Sequence, residues 1–221
     1  MSATFEQWVQ TVFDHPVSEP EWYWNEEFEP LWNVLDLTDA LTVRYLTRIF
    51  LRPEPLNRYS LDQVAQGIWF LIGESSPGQQ GYSLISREVV LGERVACIQA
   101  MAEFFRSFAA PAVPGPADTE FDSFQIACFM WWDLLWHTFP TKNGVLGGEP
   151  ELHWTCLNVM TEILDLPSEL CQVSALHGLN HWHLQYANQV EQIVDVFLGK
   201  AIGLTARVLD DASKARLGLS M

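Results

Sequence analysis

Apolar side chains along this chain recur at three- and four-residue intervals, and that spacing constrains the fold more than any other feature. One face of an α-helix collects residues i, i+3, i+4, i+7 and i+8, whereas a half-buried strand alternates with period two. Phe5, Trp8, Val9, Val12 and Phe13 follow the helical spacing. So do Leu41, Tyr45, Leu46, Ile49 and Phe50, and later Val190, Ile193, Val194, Phe197 and Leu198. No segment alternates with period two for long enough to predict a strand. The chain therefore reads as all-α.

Start and stop signals divide it into helices. Thr4 with Gln7 and Ser60 with Gln63 are capping boxes, and Thr38 is an N-cap. Pro16, Pro53, Pro140 and Pro167 act as stops, and Gly73 sits where a C′ glycine is expected. The spacing predicts helices over residues 5–15, 38–51, 61–72, 86–109, 123–139, 152–164, 168–186, 190–198 and 201–217. Residues 74–83 and 141–150 read as loops by composition. Short linkers favour antiparallel helix pairs, either stacked in a HEAT-like, solenoid-like order or crossed as an orthogonal bundle. The 221 residues fit one domain, and the run PAVPGPAD at 111–118 marks a soft subdomain break.

Charge narrows the partners. Acids number 28 and basic residues 12, for a net charge of −16. Phosphate contacts need clustered Lys and Arg, so nucleic acid and anionic membrane are unsuited, and a basic protein is favoured. The excess lies in two blocks. Residues 1–43 hold nine acids and no Lys or Arg, and residues 111–165 hold eight acids against Lys142 alone. Residues 44–110, with seven arginines, are near neutral.

The N-terminus has neither the basic residues nor the apolar run of a signal or transit peptide. The apolar stretch 124–139 is interrupted by Asp133 and is shorter than the roughly 20 residues of a bilayer span. Cys97, Cys128, Cys156 and Cys171 sit inside apolar helical patterns without C-x-x-C spacing, which predicts reduced, buried thiols in the cytoplasm.

Three groups of residues are candidate sites. In EPEWYWNEEFEPLW, acids alternate with aromatics, a composition suited to an interface hot spot. Glu19, Glu21, Trp22, Trp24, Glu26, Glu27 and Glu29 are the expected partner contacts, with Asp118, Glu120 and Asp122 second. The competing reading places the aromatics in the core and leaves the acids simply solvated. In HGLNHWH, His177 and His181 are four apart and share a helix face, as a zinc pair requires. Gly178 stands where a zincin has its Glu, so the general base is missing, and a third ligand would come from His153, Cys156 or an acid. The bland reading makes these histidines structural and gives Gly178 to close helix approach. No metal or other cofactor is expected. Asp133 is a carboxylate in an apolar helix and needs a partner: an arginine, His137 one turn on, or helix-start N–H groups. No phosphate loop, dinucleotide fingerprint or nucleophile elbow occurs.

Several phrases carry a resemblance. YSLDQVAQGIWFL, CFMWWDLLW, LCQVSALHGLNHWH and VEQIVDVFL are similar to a group of bacterial all-helical proteins with an S-A-L-H-G-L-G-H motif. Asn180 replaces the motif's second Gly. The resemblance implies a HEAT-like helical fold and a kinship with immunity proteins of polymorphic toxin systems, and it carries no catalytic residues. The leading expectation is a cytoplasmic immunity protein that neutralises a basic toxin domain by direct contact. The alternatives are a helical scaffold or adaptor, and a metal-dependent enzyme using the H-x-x-x-H pair.

Overall fold

The computed structural model describes residues 3–28, 37–73, 80–115, 120–143, 145–200 and 202–220. Local capping sets most helix starts. Thr4 opens α1 (Phe5–Phe13): its hydroxyl accepts the Gln7 N–H at 3.2 Å, while the Gln7 side chain accepts the Thr4 N–H at 2.9 Å. Thr38 caps α2 (Asp39–Leu51), and Ser60 with Gln63 closes the same box on α3 (Leu61–Ile72). α4 (Leu91–Phe104) runs on through one π-helical turn, Phe105–Ala109, into Ala110–Ala112. Asp122 with Gln125 boxes the start of α5 (Ser123–Thr138). α6 (Pro150–Leu164) begins on a proline that needs no N–H partner. α7 (Glu169–Lys200) and α8 (Ala206–Leu217) complete the chain. Among the described residues the fold is all-α apart from a hairpin of two two-residue strands, β1 (Thr141–Lys142) and β2 (Val145–Leu146), paired antiparallel.

Alternate helices pack into two rows. α1, α3, α5 and α7 follow one another in the first row, and α2, α4 and α6 in the second. α6 also packs on α7, and α8 covers α7. The buried side chains of both rows form one cluster running from Phe5 to Ala215, so helices on both sides of 111–118 share it. Trp8, Trp22, Trp131, Trp132 and Trp182 are its largest members. Trp131 joins three helices, with ring centroids 5.3 Å from Phe50, 5.1 Å from Phe104 and 5.4 Å from Phe105. Such aromatic pairs stabilise by about 0.5–1.5 kcal/mol each beyond their burial. Arg94, whose side chain is 4% exposed, donates to both oxygens of Glu149 at 3.2 and 3.1 Å and ties α4 to the start of α6. The Arg94 guanidinium holds the Glu149 carboxyl below its ordinary range.

The structure corrects several boundaries. α4 starts at Leu91 rather than residue 86, because residues 86–89 form a turn closed by the Val89 N–H to the Ser86 carbonyl. α8 starts at Ala206 rather than 201, where the Thr205 hydroxyl accepts the Val208 N–H. The helices expected at 168–186 and 190–198 are both present, as two segments of α7 that meet at a kink at Tyr186, whose φ of −130° and ψ of 43° leave the helical region. Gly73 is not left-handed; its φ is −67°, and glycine is needed because a Cβ would lie 2.3 Å from the Trp69 carbonyl oxygen. The hairpin falls in a predicted loop, where Asn143, at φ 54°, precedes Gly144 and supplies the Asn-Gly turn signal.

Gly178 on α7 lies against α5. A Cβ there would meet the Trp132 Cβ at 2.3 Å and the Met160 Sδ at 2.7 Å. Gly178→Ala should therefore lower stability by about 1–3 kcal/mol through overpacking. Gly199, with nothing within 4 Å, should gain about 0.5–1 kcal/mol on substitution by Ala. Denaturant melts of the two variants give opposite signs if the contact is as described.

His15 and His153 are buried, and burial is the largest effect holding both below the ordinary value of 6.5. As pH falls below 6.5, the unfolded chain takes up protons before the folded one does. Stability should then fall with pH. A His15→Gln/His153→Gln double variant should show a shallower decline in denaturant midpoint over that window.

Candidate functional site

The acidic N-terminal strip is pinned from below. Trp22 is 1% exposed, its ring 3.8 Å from His15 and 4.8 Å from Phe70. Tyr23 is buried beside it and also faces Phe70, at 5.6 Å. Gln63 and Gln66 of α3 donate to the carbonyls of His15 and Ser18, fixing the approach to the strip. Two residues later Trp24 is 49% exposed and meets Tyr23 edge-on. Glu19, Glu26 and Glu27 are exposed and Glu21 is half-buried. Among the described residues none of these four carboxylates has an ion-pair partner.

The expected contacts therefore divide. Trp24, Glu19, Glu21, Glu26 and Glu27 reach the surface. Trp22 is a core residue and cannot touch a partner, because its ring is enclosed by His15 and by Phe70 of α3. Glu29 lies outside the described residues, as does Asp118 of the second block. Glu120 is exposed. Asp122 is also exposed, but its carboxylate accepts the Gln125 N–H at 2.8 Å and so caps its own helix.

Opposite charge is gathered on α2. Arg44, Arg48 and Arg52, one turn apart, line a groove of about 410 Å³ together with Val43, Leu51 and Ala96. Arg44 pairs with Glu93 and Arg48 with Glu6, both at 3.1 Å, so this groove is partly neutralised from within.

The second chemical cluster lies between α5 and α7. Each helix contributes a pair spaced i, i+4: Asp133 with His137, and His177 with His181. The Asp133 Oδ1 is 3.1 Å from His181 Nδ1 and 3.4 Å from His137 Nε2. Donor atoms of Asp133, His177 and His181 all lie within 4.8 Å of one another. The His177 ring stacks on Phe129 at 4.0 Å and is buried, and neither of its nitrogens has a hydrogen-bond partner among the described residues. Burial, with a smaller contribution from His181, pushes the His177 imidazole down to about 4, and burial also lowers His181. Both rings are therefore neutral at pH 7, the form in which imidazole binds metal.

Sequence spacing located the His177–His181 pair and the need for a partner at Asp133, but not that each answers the other. The signal was present as two same-face pairs, one on each helix, with Gly178 between the histidines. His153, weighed as a third ligand, is elsewhere occupied: it bonds the Tyr186 hydroxyl at 2.6 Å and the Gly147 carbonyl at 3.0 Å. Cys156 is fully buried, and burial pushes its thiol far up. Burial likewise pushes Cys97 up to about 12 and Cys171 to about 11, so these cysteines are unreactive core residues. No family model, curated protein or solved structure matches this chain.

Proposed function

We propose that this chain is a binding protein of the immunity type, which neutralises a basic toxin domain by direct contact. The observation that carries the reading is Trp24. It stands half exposed among Glu21, Glu26 and Glu27, while the adjacent Trp22 and Tyr23 are locked in the core. An exposed Trp whose backbone is fixed in advance loses little freedom on binding, which favours a hot spot. Carboxylates without internal partners are available to cationic groups of a partner. With a net charge of −16 they would also accelerate encounter with a basic protein at low salt. The packing of alternate helices in two rows supports the HEAT-like order implied by the resemblance. Among the described residues no helix is long and apolar enough to cross a membrane. Together with the four buried cysteines, this is compatible with action in the cytoplasm.

The test starts from the full chain immobilised in a lysate of its native cells, with the captured protein identified by mass spectrometry. Expression of that protein alone should arrest growth, and co-expression of this chain should restore it. A captured partner that is harmless on its own would overturn the immunity reading. With the partner in hand, Trp24→Ala should weaken binding by at least about tenfold, because a buried interface Trp contributes 2 kcal/mol or more. A Glu26→Lys/Glu27→Lys variant should weaken it too and flatten its salt dependence, with both melting curves unchanged. Unaltered affinity in both variants would remove the contact from this strip.

A further inference from the structure

Asp133, His177 and His181 form a group on α5 and α7, apart from the N-terminal strip. It differs from an ordinary buried ion pair in one respect. His177 is 7% exposed, yet both of its ring nitrogens lack a hydrogen-bond partner among the described residues. Buried polar groups in folded proteins are paired, so such a ring calls for a ligand. Phe129 stacks on one face of the ring and fixes its plane. One of its nitrogens lies within 4.8 Å of donor atoms of both His181 and Asp133, and the two imidazole centroids lie 4.7 Å apart.

We propose that Asp133, His177 and His181 bind one divalent transition-metal ion between α5 and α7. The donor set is one carboxylate oxygen and two imidazole nitrogens, which suits borderline ions such as Zn²⁺ and Co²⁺ and is too nitrogen-rich for Ca²⁺ or Mg²⁺. Donor atoms around a tetrahedral ion with bonds of about 2.0–2.2 Å lie roughly 3.3–3.6 Å apart. The Asp133–His181 pair, at 3.1 Å, is already near that spacing. The widest separation in the group, 4.8 Å, closes by little more than roughly 1.3 Å. The i, i+4 pair His177 and His181 presents both donors on one face of α7, and Asp133 faces them from α5, in the way helical bundles build metal centres from side chains on facing helices. Phe129 covers one face of the His177 ring with apolar surface. His181 and His137, with side chains 35% and 46% exposed, border the outer side and leave an entry path.

The experiment uses the full chain, stripped with a chelator and dialysed. Titration with ZnCl2 by calorimetry should show one ion per chain with micromolar or tighter affinity, and Zn²⁺ should raise the melting temperature. Co²⁺ should give the intense visible absorption of a tetrahedral centre. Asp133→Asn and His181→Ala should each weaken Zn²⁺ binding by at least about 100-fold, more than the effect usual for groups one shell further out. Both variants should abolish the thermal shift. His181 is partly exposed, so its removal leaves the packing intact. If Asp133→Asn does not fold, His181→Ala alone decides the question. Absence of stoichiometric Zn²⁺ binding, or parental affinity in His181→Ala, would overturn the proposal.

Discussion

The contact between Gly178 and Trp132 governs much of what this molecule can do. With no side chain at Gly178, α7 approaches α5 until its backbone nearly touches the Trp132 Cβ. The Ser174 hydroxyl, one turn earlier, donates to the Cys128 carbonyl across the same contact. Met160 of α6 closes the third side. At this short distance Asp133, next to Trp132, is set beside His181 and His177, which flank the glycine. A bulkier residue at 178 would separate the helices and dissolve the cluster before it affected any chemistry directly. The glycine lowers helix propensity by about 1 kcal/mol relative to Ala, a cost offset by the packing it allows.

A similar division between anchoring and display operates at the N-terminal strip. Trp22 and Tyr23 are consumed in holding the segment on α1 and α3, so that Trp24 and its neighbouring glutamates are held outward. Both candidate sites thus rest on buried aromatics: Trp22 and Tyr23 beneath the strip, and Trp132 beside Asp133. They also sit on different structural bases. The strip is attached to the edge of the first row of helices, whereas the Asp-His cluster lies within that row, between α5 and α7. Arg44 and Arg48 answer acids on α4 and α1, and Glu19, Glu21, Glu26 and Glu27 have no ion-pair partner among the described residues.

Much of the helical layout was legible because its causes are local. A capping box needs residues three apart, and Thr4–Gln7 and Ser60–Gln63 close as their spacing requires. Apolar stripes at helical period are buried as expected, for example Phe5, Trp8, Val9, Val12 and Phe13. The errors fall where the deciding contact is distant or where two local signals compete. The break in periodicity between 186 and 190, by contrast, marks a real interruption: two helical segments meet at a kink at Tyr186. The loop reading at 141–150 passed over the short hairpin there, which is held by Gln185, whose side chain accepts the Leu146 N–H. At the site, alternation of acids with aromatics gave no means of telling Trp22 from Trp24, because which ring is enclosed depends on where α3 lies.

By itself the sequence determined the all-α class, the limits of most helices and the identity of the charged and histidine-bearing faces. Each of these follows from interactions within a few residues. Only the tertiary structure decided that Asp133 meets His177 and His181, that Trp22 is core while Trp24 is surface, and that Arg44 and Arg48 are already engaged. Those outcomes depend on distances between side chains more than 40 residues apart, and such distances are set by how closely helices can pack, which period and composition do not encode.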